Sequence, residues 1–273
     1  MPQCFCYLAG AGAQSHGELS VEFRFGATVL RVNVPDRRRL HSLVRARLRT
    51  GRGFALATLN LDHLVKLATD RRFRDAYARH DLIVADGNPV VWLSRLARRP
   101  VGLVPGSDLV CPLAVIAAQE GVPLALVGST RVALARASER LRRAAPGLRV
   151  AALISPEFGF DPEGEGAEAL IDEIAASGAG LCLLALGAPK QEILAARARA
   201  RLPGIGFVSV GAGLDFLAGS QRRAPLWLRR LALEWAWRMF SDPLRLGPRY
   251  LRCALILPLQ AMAALRLRMR GTA

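Results

Sequence analysis

Asp86 ends the apolar run Leu82-Ile83-Val84-Ala85 and is followed by Gly87. A carboxylate fixed at the end of a buried strand is placed to take a proton in a cleft, and burial there raises its pKa toward a useful value. The position equally suits an N-cap of the following helix, a common job for Asp, so the residue alone leaves both readings open. Thr58 and Asn60 close another apolar run and offer a hydroxyl and an amide to a sugar or a phosphate. Gly187-Ala188-Pro189-Lys190-Gln191-Glu192 has glycine before a helix start and proline near its first turn. Such a start leaves backbone N–H groups and a positive dipole end suited to a diphosphate. It is not a P-loop, which needs Gly-Lys followed by Ser or Thr. Gly211-Ala212-Gly213-Leu214-Asp215 begins like a dinucleotide fingerprint, but Phe216 stands where the third glycine would fall. The sequence has no Asp-x-Asp pair to clamp a metal, so neutralising a phosphate would fall to arginines and helix dipoles.

These turns need a scaffold that brings them together. Short apolar runs alternate with longer amphipathic segments. Strands are expected at Thr28 to Val32, Phe54 to Leu59, Leu82 to Ala85, Leu124 to Val127, Arg149 to Ile154, Leu181 to Leu186 and Gly206 to Val210. Helices are expected at Pro35 to Arg49, Leu61 to Arg79, Pro89 to Ala97, Ser107 to Gln119, Thr130 to Ala145, Glu163 to Ala176 and Pro189 to Arg201. Such alternation predicts an α/β fold, a Rossmann-like, mostly parallel sheet with helices on both faces, because parallel neighbours need crossover connections. Ligands of open α/β sheets bind outside the carboxyl ends of the strands, where all the turns above would lie.

The chain has 273 residues, 52% of them hydrophobic, enough for a substantial core. Its 38 Lys plus Arg against 22 Asp plus Glu give a formal +16, and the only lysines are Lys66 and Lys190. Guanidinium groups favour bidentate contacts to phosphate or carboxylate. Nucleic acid is disfavoured as the partner: aromatics are only 6% and the tryptophans gather near the apolar tail, whereas single-strand binders interleave aromatic and basic residues. The five cysteines are odd in number and scattered, like the four histidines, so neither a disulfide framework nor a metal site is expected. Met1 to Gly12 lacks the charged leader and apolar stretch of a secretory signal, and a cytoplasmic protein is expected.

Three segments are read along the chain. Residues 1–24 form a poorly ordered extension, 25–222 the α/β core, and 223–273 a helical, basic appendage. From 226 onward stand nine Arg against Glu234 and Asp242, a net of 9 − 2 = +7. The least polar piece, Cys253 to Leu265, contains Pro258 and Gln260 and falls short of the roughly 20 residues needed to cross a bilayer. A tail of this kind suits an interfacial anchor on an anionic inner leaflet. The alternative is that these helices complete the core or a subunit interface in a homo-oligomer.

Together the motifs resemble the WecG/TagA/CpsF glycosyltransferases (family 26), from about Phe25 to Tyr250. The resemblance rests on Thr58-x-Asn60; Ala85-Asp86-Gly87 with Val90-Val91-Trp92; Gly106-x-Asp108-Leu109; Gly187-x-Pro189-Lys190-Gln191-Glu192; and Gly211-x-Gly213-x-Asp215. It extends through Arg223-Ala224-Pro225-x-Trp227, Leu233-Glu234-Trp235-x-x-Arg238, Pro243, Arg245, Arg249 and Tyr250. It implies transfer of a sugar, with inversion and without a divalent metal or other cofactor, from a UDP-sugar to an undecaprenyl-diphosphate-linked acceptor at the cytoplasmic membrane face. It implies Asp86 as the catalytic base. Thr58, Asn60, Asn88, Asp108, Gly187, Lys190, Gln191, Gly213 and Asp215 are then expected to bind substrate, and Arg238, Arg245 and Arg249 to neutralise phosphates. The sequence departs from the family at Leu103, where many members carry a basic residue. Arg98 or Arg99 would have to substitute.

Overall fold

The computed structural model describes the backbone of residues 6–8 and 20–270; the side chains of 6–8 and of Arg230, Arg238, Arg245 and Arg270 lie outside the described set. The chain starts with an antiparallel sheet of β1 (Cys6–Leu8), β2 (Val21–Phe25) and β3 (Thr28–Val32). There follow α1 (Arg37–Arg49), β4 (Phe54–Leu59), α2 (Leu61–Thr69), α3 (Arg71–Ala78), β5 (Leu82–Ala85), α4 (Asn88–Leu96) and α5 (Gly106–Gln119). The core continues with β6 (Leu124–Gly128), α6 (Arg131–Ala144), β7 (Val150–Ile154), α7 (Glu165–Ala176), β8 (Leu181–Ala185), α8 (Lys190–Arg201), β9 (Gly206–Ser209) and α9 (Gly213–Ala218). The C-terminal segment holds α10 (Leu226–Arg230), α11 (Glu234–Ser241) and α12 (Pro243–Arg270).

Among the described residues the main sheet has six strands in the order β5-β4-β9-β8-β6-β7, every neighbouring pair parallel. All residues of β4, β5, β6, β8 and β9 are buried, as expected for strands covered on both faces. Alternate side chains point to opposite faces. Leu56, Val84, Leu126, Leu183 and Val208 join α1, α5, α6 and α9 in one cluster. On the other face Ala125, Val127, Cys182, Leu184 and Phe207 meet α7 and α8, while Ala57, Leu59, Ile83 and Ala85 meet α2, α3, α4 and α12.

Thr28 to Val32 is a strand but not a member of the parallel sheet. It pairs antiparallel with β2, the Phe25↔Thr28 pair closing a two-residue turn. The alternation Val21-Glu22-Phe23-Arg24-Phe25 carries this hairpin, and Val21, Phe23 and Phe25 are buried. Residues 21–24, expected to belong to a poorly ordered extension, therefore form most of β2. Just beyond β3 the chain covers the edge of β5: Val34 N–H donates to the Ile83 carbonyl at 3.2 Å, and Asn33 Oδ1 accepts from Ile83 N–H at 2.8 Å. The single helix expected over Leu61 to Arg79 is two, because the Asp70 carboxylate accepts from Phe73 N–H and caps α3.

The tail also differs from expectation. α12 runs through Pro248 and Pro258, and its stretch Leu246–Met269 is, by length and composition, long and apolar enough to cross a membrane, although part of it is buried. Residues 253–265, the least polar piece of the tail, lie within this longer helix. One side of α12, through Cys253, Ala263, Ala264 and Leu267, is buried in the cluster that holds β2, β3, α2 and α4.

Candidate active site at the carboxyl rim of the sheet

Parallel strands place all their carboxyl ends on one rim, and β5, β4, β9 and β8 are consecutive there. Asp86 leaves β5 at this rim, and its N–H donates to the Leu59 carbonyl at 2.7 Å, binding the ends of β4 and β5 together. Gly87 takes φ +108° and is the N-cap position of α4, which no side chain caps. A Cβ on Gly87 would lie 3.7 Å from the Asn60 Cβ, so the turns after β4 and β5 abut. The segment after α4 returns to the same place. Val104 N–H donates to the Ala85 carbonyl at 2.8 Å and Leu103 bridges to Ala85, leaving an apolar, 39% exposed side chain beside the end of the strand that Asp86 leaves. Arg99 is committed elsewhere, donating to the Ser20 carbonyl at 3.3 Å.

Several residues expected to touch substrate have their polar atoms engaged within the chain. Thr58 is buried under the first turn of α5, where a Cβ on Gly106 would lie 3.1 Å from its hydroxyl. Asn60 Oδ1 accepts from His63 N–H at 3.0 Å and caps α2. Gln191 is buried; its Oε1 accepts from Gly211 N–H at 3.1 Å and its Nε2 donates to Glu192 Oε1 at 2.7 Å. That amide joins the turn after β8 to the turn after β9. Gly213 serves packing: a Cβ there would be 2.7 Å from Val110 Cγ2 and 3.0 Å from Ser107 Cα, so glycine is what lets α9 sit on α5. Asp215 accepts from Ser129 Oγ, from Ser220 Oγ at 3.3 Å and from Gln221 Nε2 at 3.3 Å.

Asp108 lies in the first turn of α5 and anchors the C-terminal segment. Arg223 pairs with it, Arg229 lies 3.2 Å away and Arg37 3.4 Å, and Glu234 adds weaker contacts to Arg223 and Arg229 at 3.5 and 3.8 Å. Arg249 Nε stands 3.1 Å from Asp62 Oδ1, whose other oxygen is 2.9 Å from Lys66 Nζ. Lys66 in turn donates to the Ala188 carbonyl at 3.1 Å, so α12, α2 and the turn before α8 are linked through charged groups. The side chains of Arg238 and Arg245 lie outside the described residues; their backbones belong to α11 and α12.

Asn88 opens α4, partly buried beside Gly87, and Gly187 takes φ +71° in the turn before α8. Lys190, Leu186, Ser129, Glu157, Phe158 and Phe160 line a cavity of about 280 Å³ at the ends of β6, β7 and β8. Phe158 is fully exposed there, a placement with no value to the core but suited to a flat ring. Neither Phe158 nor Ser129 carries a sequence signal that places it at this cavity. Ser129 holds φ +54°, a conformation rare outside glycine, and single residue types give no sign of it.

A buried polar cluster lies below the rim. His63 Nδ1 is 3.1 Å from the Tyr77 hydroxyl, and burial drives the His63 pKa down to about 3. Tyr77 is pushed up by burial, then by the nearby Glu192 and Asp86 carboxyls. Glu192, fully buried, is raised to about 7 by burial, against the opposing effects of Gln191 and Lys66. Among the described residues no group of three or more His, Cys, Asp or Glu could hold a metal ion.

The rim thus carries the carboxylate that follows β5 and the N-terminal turn of α8 on one edge of the sheet, and the positive dipole end of a helix favours an anion. Its motifs extend from β4 into α12. A family model described as the glycosyl transferase WecG/TagA/CpsF family matches residues 27–271, from the hairpin turn before β3 to the end of α12. The chain belongs to that family, the glycosyltransferases of cell-surface polysaccharide biosynthesis.

Proposed function

We propose that the protein transfers a hexose, N-acetylmannosamine, its uronic acid or a related sugar, from a UDP-sugar to an undecaprenyl-diphosphate-linked acceptor, inverting the anomeric carbon without a metal. Asp86 takes the proton of the acceptor hydroxyl. The turn Gly187 to Lys190, at the positive end of α8, faces the donor diphosphate, and Arg249 with the other arginines of the tail meets phosphate charge as the bond to the leaving group breaks. The nucleotide takes the side of the rim formed by Lys190, Ser129 and Phe158.

One observation carries this reading. Asp86 and the Gly187 to Gln191 turn leave strands separated only by β4 and β9, with their carboxyl ends on the same rim. A base and a diphosphate-binding helix start would serve one substrate only on a shared rim. The tail supports a membrane-bound acceptor: Leu244, Leu251, Leu255, Leu259, Met262 and Met269 are all exposed on α12, while its other side is packed on the core. That arrangement favours a helix lying in the inner membrane face over one crossing it, because crossing would strip apolar surface from the domain. A thermal-shift series with UDP-sugars tests the donor class. Ligand binding stabilises by RT ln(1 + [L]/Kd), about 2.7 kcal/mol at 100 Kd. At least one UDP-hexose is expected to raise Tm by several degrees, with no response to NAD. A response to NAD alone would overturn the reading.

A further inference from the structure

Asp62 stands in the first turn of α2, close after the Asn60 cap, and it takes no part in the reaction as proposed above. It is a buried acid, which needs a partner. It has two cations. Arg249 Nε, from α12, is 3.1 Å from its Oδ1, and Lys66 Nζ, one helical turn along α2, is 2.9 Å from its Oδ2. Arg249 spends one edge of its guanidinium on Asp62 and keeps its side chain 33% exposed, so its remaining N–H groups are left for phosphate. Lys66 donates to the Ala188 carbonyl at 3.1 Å, across 122 positions of sequence, in the turn read above as the diphosphate site. We propose that Asp62 is a positioning residue for sugar transfer: its one carboxylate aims Arg249 at the rim and, through Lys66, sets the turn before α8.

Each contact has a use at the rim. Pro189 has no N–H, so the peptide unit between Ala188 and Pro189 offers only a carbonyl, which repels an anion. The Lys66 ammonium holds that oxygen against α2, leaving the N–H groups at the start of α8 to meet a diphosphate. Asp62 does the corresponding work for the tail. The turn that holds Asn60 abuts Gly87, next to Asp86, so an arginine bound to the first turn of α2 is brought to the same part of the rim as the base. Two cations share this carboxylate. With its charge removed they repel each other, and both contacts loosen together.

The inference rests on the transferase reading, and a measurement on the unliganded protein separates the two. Hydrogen exchange of the Gln191 amide, which donates to the Gly187 carbonyl at 3.1 Å, reports on the turn, and exchange along α12 around Arg249 reports on the tail. Asp62→Asn keeps the shape and removes the charge. We expect it to speed exchange about tenfold at both places, Lys66→Met at the turn only and Arg249→Met at the tail only. Unchanged exchange at the turn in Asp62→Asn overturns the inference, whatever the enzyme does. In transfer assays with a UDP-sugar, Asp62→Asn should raise donor KM and lower kcat by about tenfold each. Lys66→Met should reproduce the rise in KM and Arg249→Met the loss of kcat. Adding Asp62→Asn to Arg249→Met should lower kcat no further than Arg249→Met alone. Full additivity, or a lower Tm with KM and kcat unchanged, marks a merely structural ion pair and overturns the inference. Should Asp62→Asn fail to fold, Lys66→Met decides: a donor KM and a Gln191 exchange rate equal to wild type overturn it. A wild type without transfer but with the expected exchange pattern would overturn the reaction and leave the link from tail to turn standing.

Discussion

Asn60, Gln191 and Asp108 present the polar atoms that a substrate would use, yet each directs them into the chain: Asn60 to a helix N-terminus, Gln191 to Gly211, Asp108 to arginines. Sequence shows which groups can donate or accept, but not which partner lies nearer. Asp86 stands out in sequence as an acid directly after an apolar strand, and the structure sets it at the carboxyl rim. The buried titratable groups were not legible, since a histidine in a helix gives no sign of its depth. They set a testable pH dependence. His63 is held at about 3 and His80 at about 4 by burial, against an ordinary 6.5, so both fold neutral. Their contribution is present above pH 6.5 and is lost as pH falls, because the unfolded chain then binds their protons first. Glu192, raised from 4.5 to about 7, works the other way and binds its proton in the folded state. Between pH 4.5 and 6.5 the unfolded chain holds a net excess of just under one proton on average, so stability should rise with pH by roughly 2 kcal/mol across that window. Denaturant titrations at pH 4.5 and 6.5 check it; a protein more stable at pH 4.5 would contradict the assignment.

At the scale of elements, the alternating runs gave every strand of the parallel sheet to within about one or two residues, because a fully buried strand flanked by turns has an unmistakable apolar run. Two errors arose where a local cue competed with packing. Leu61 to Arg79 is amphipathic throughout, and only the cap at Asp70 breaks it. The least polar piece of the tail, residues 253–265, is too short by itself to cross a bilayer, yet it lies inside a helix, α12, that continues through Pro248 and Pro258, supported on one side by the core. Its outer side is the element's open surface. Leu251 and Leu255 are 62% and 66% exposed there. Replacing Leu251, Leu255 and Leu259 with Gln should lower partitioning onto anionic vesicles at least tenfold, since each buried leucine contributes about 1.5–3 kcal/mol. Unfolding midpoints should change little, as these side chains leave the core untouched. Undiminished vesicle binding would remove the interfacial role of α12.

For the molecule as a whole, one long-range fact organises the chemistry: a parallel sheet gathers turns from positions 60, 86, 187 and 211 at one rim, and a charged C-terminal segment is bound back over the domain through Asp108 and Asp62. The sheet was foreseeable from periodicity. The return of the tail was not, since single ion pairs between residues more than a hundred positions apart leave no trace in local pattern. The excess of arginine, part of a formal +16, acquires a use in this return: Arg223, Arg229 and Arg249 hold the segment to the core. The proposed reaction stands or falls with Asp86 as the base at this rim. The direct measurement is the rate of sugar transfer from a UDP-sugar to a lipid-diphosphate-linked acceptor by wild type and Asp86→Asn, with UDP-sugar affinity measured on the same preparations. A positioned base typically contributes 10²–10⁴-fold, so turnover should fall at least about a hundredfold while donor affinity stays within about twofold. An Asp86→Asn protein that turns over at close to the wild-type rate would contradict it.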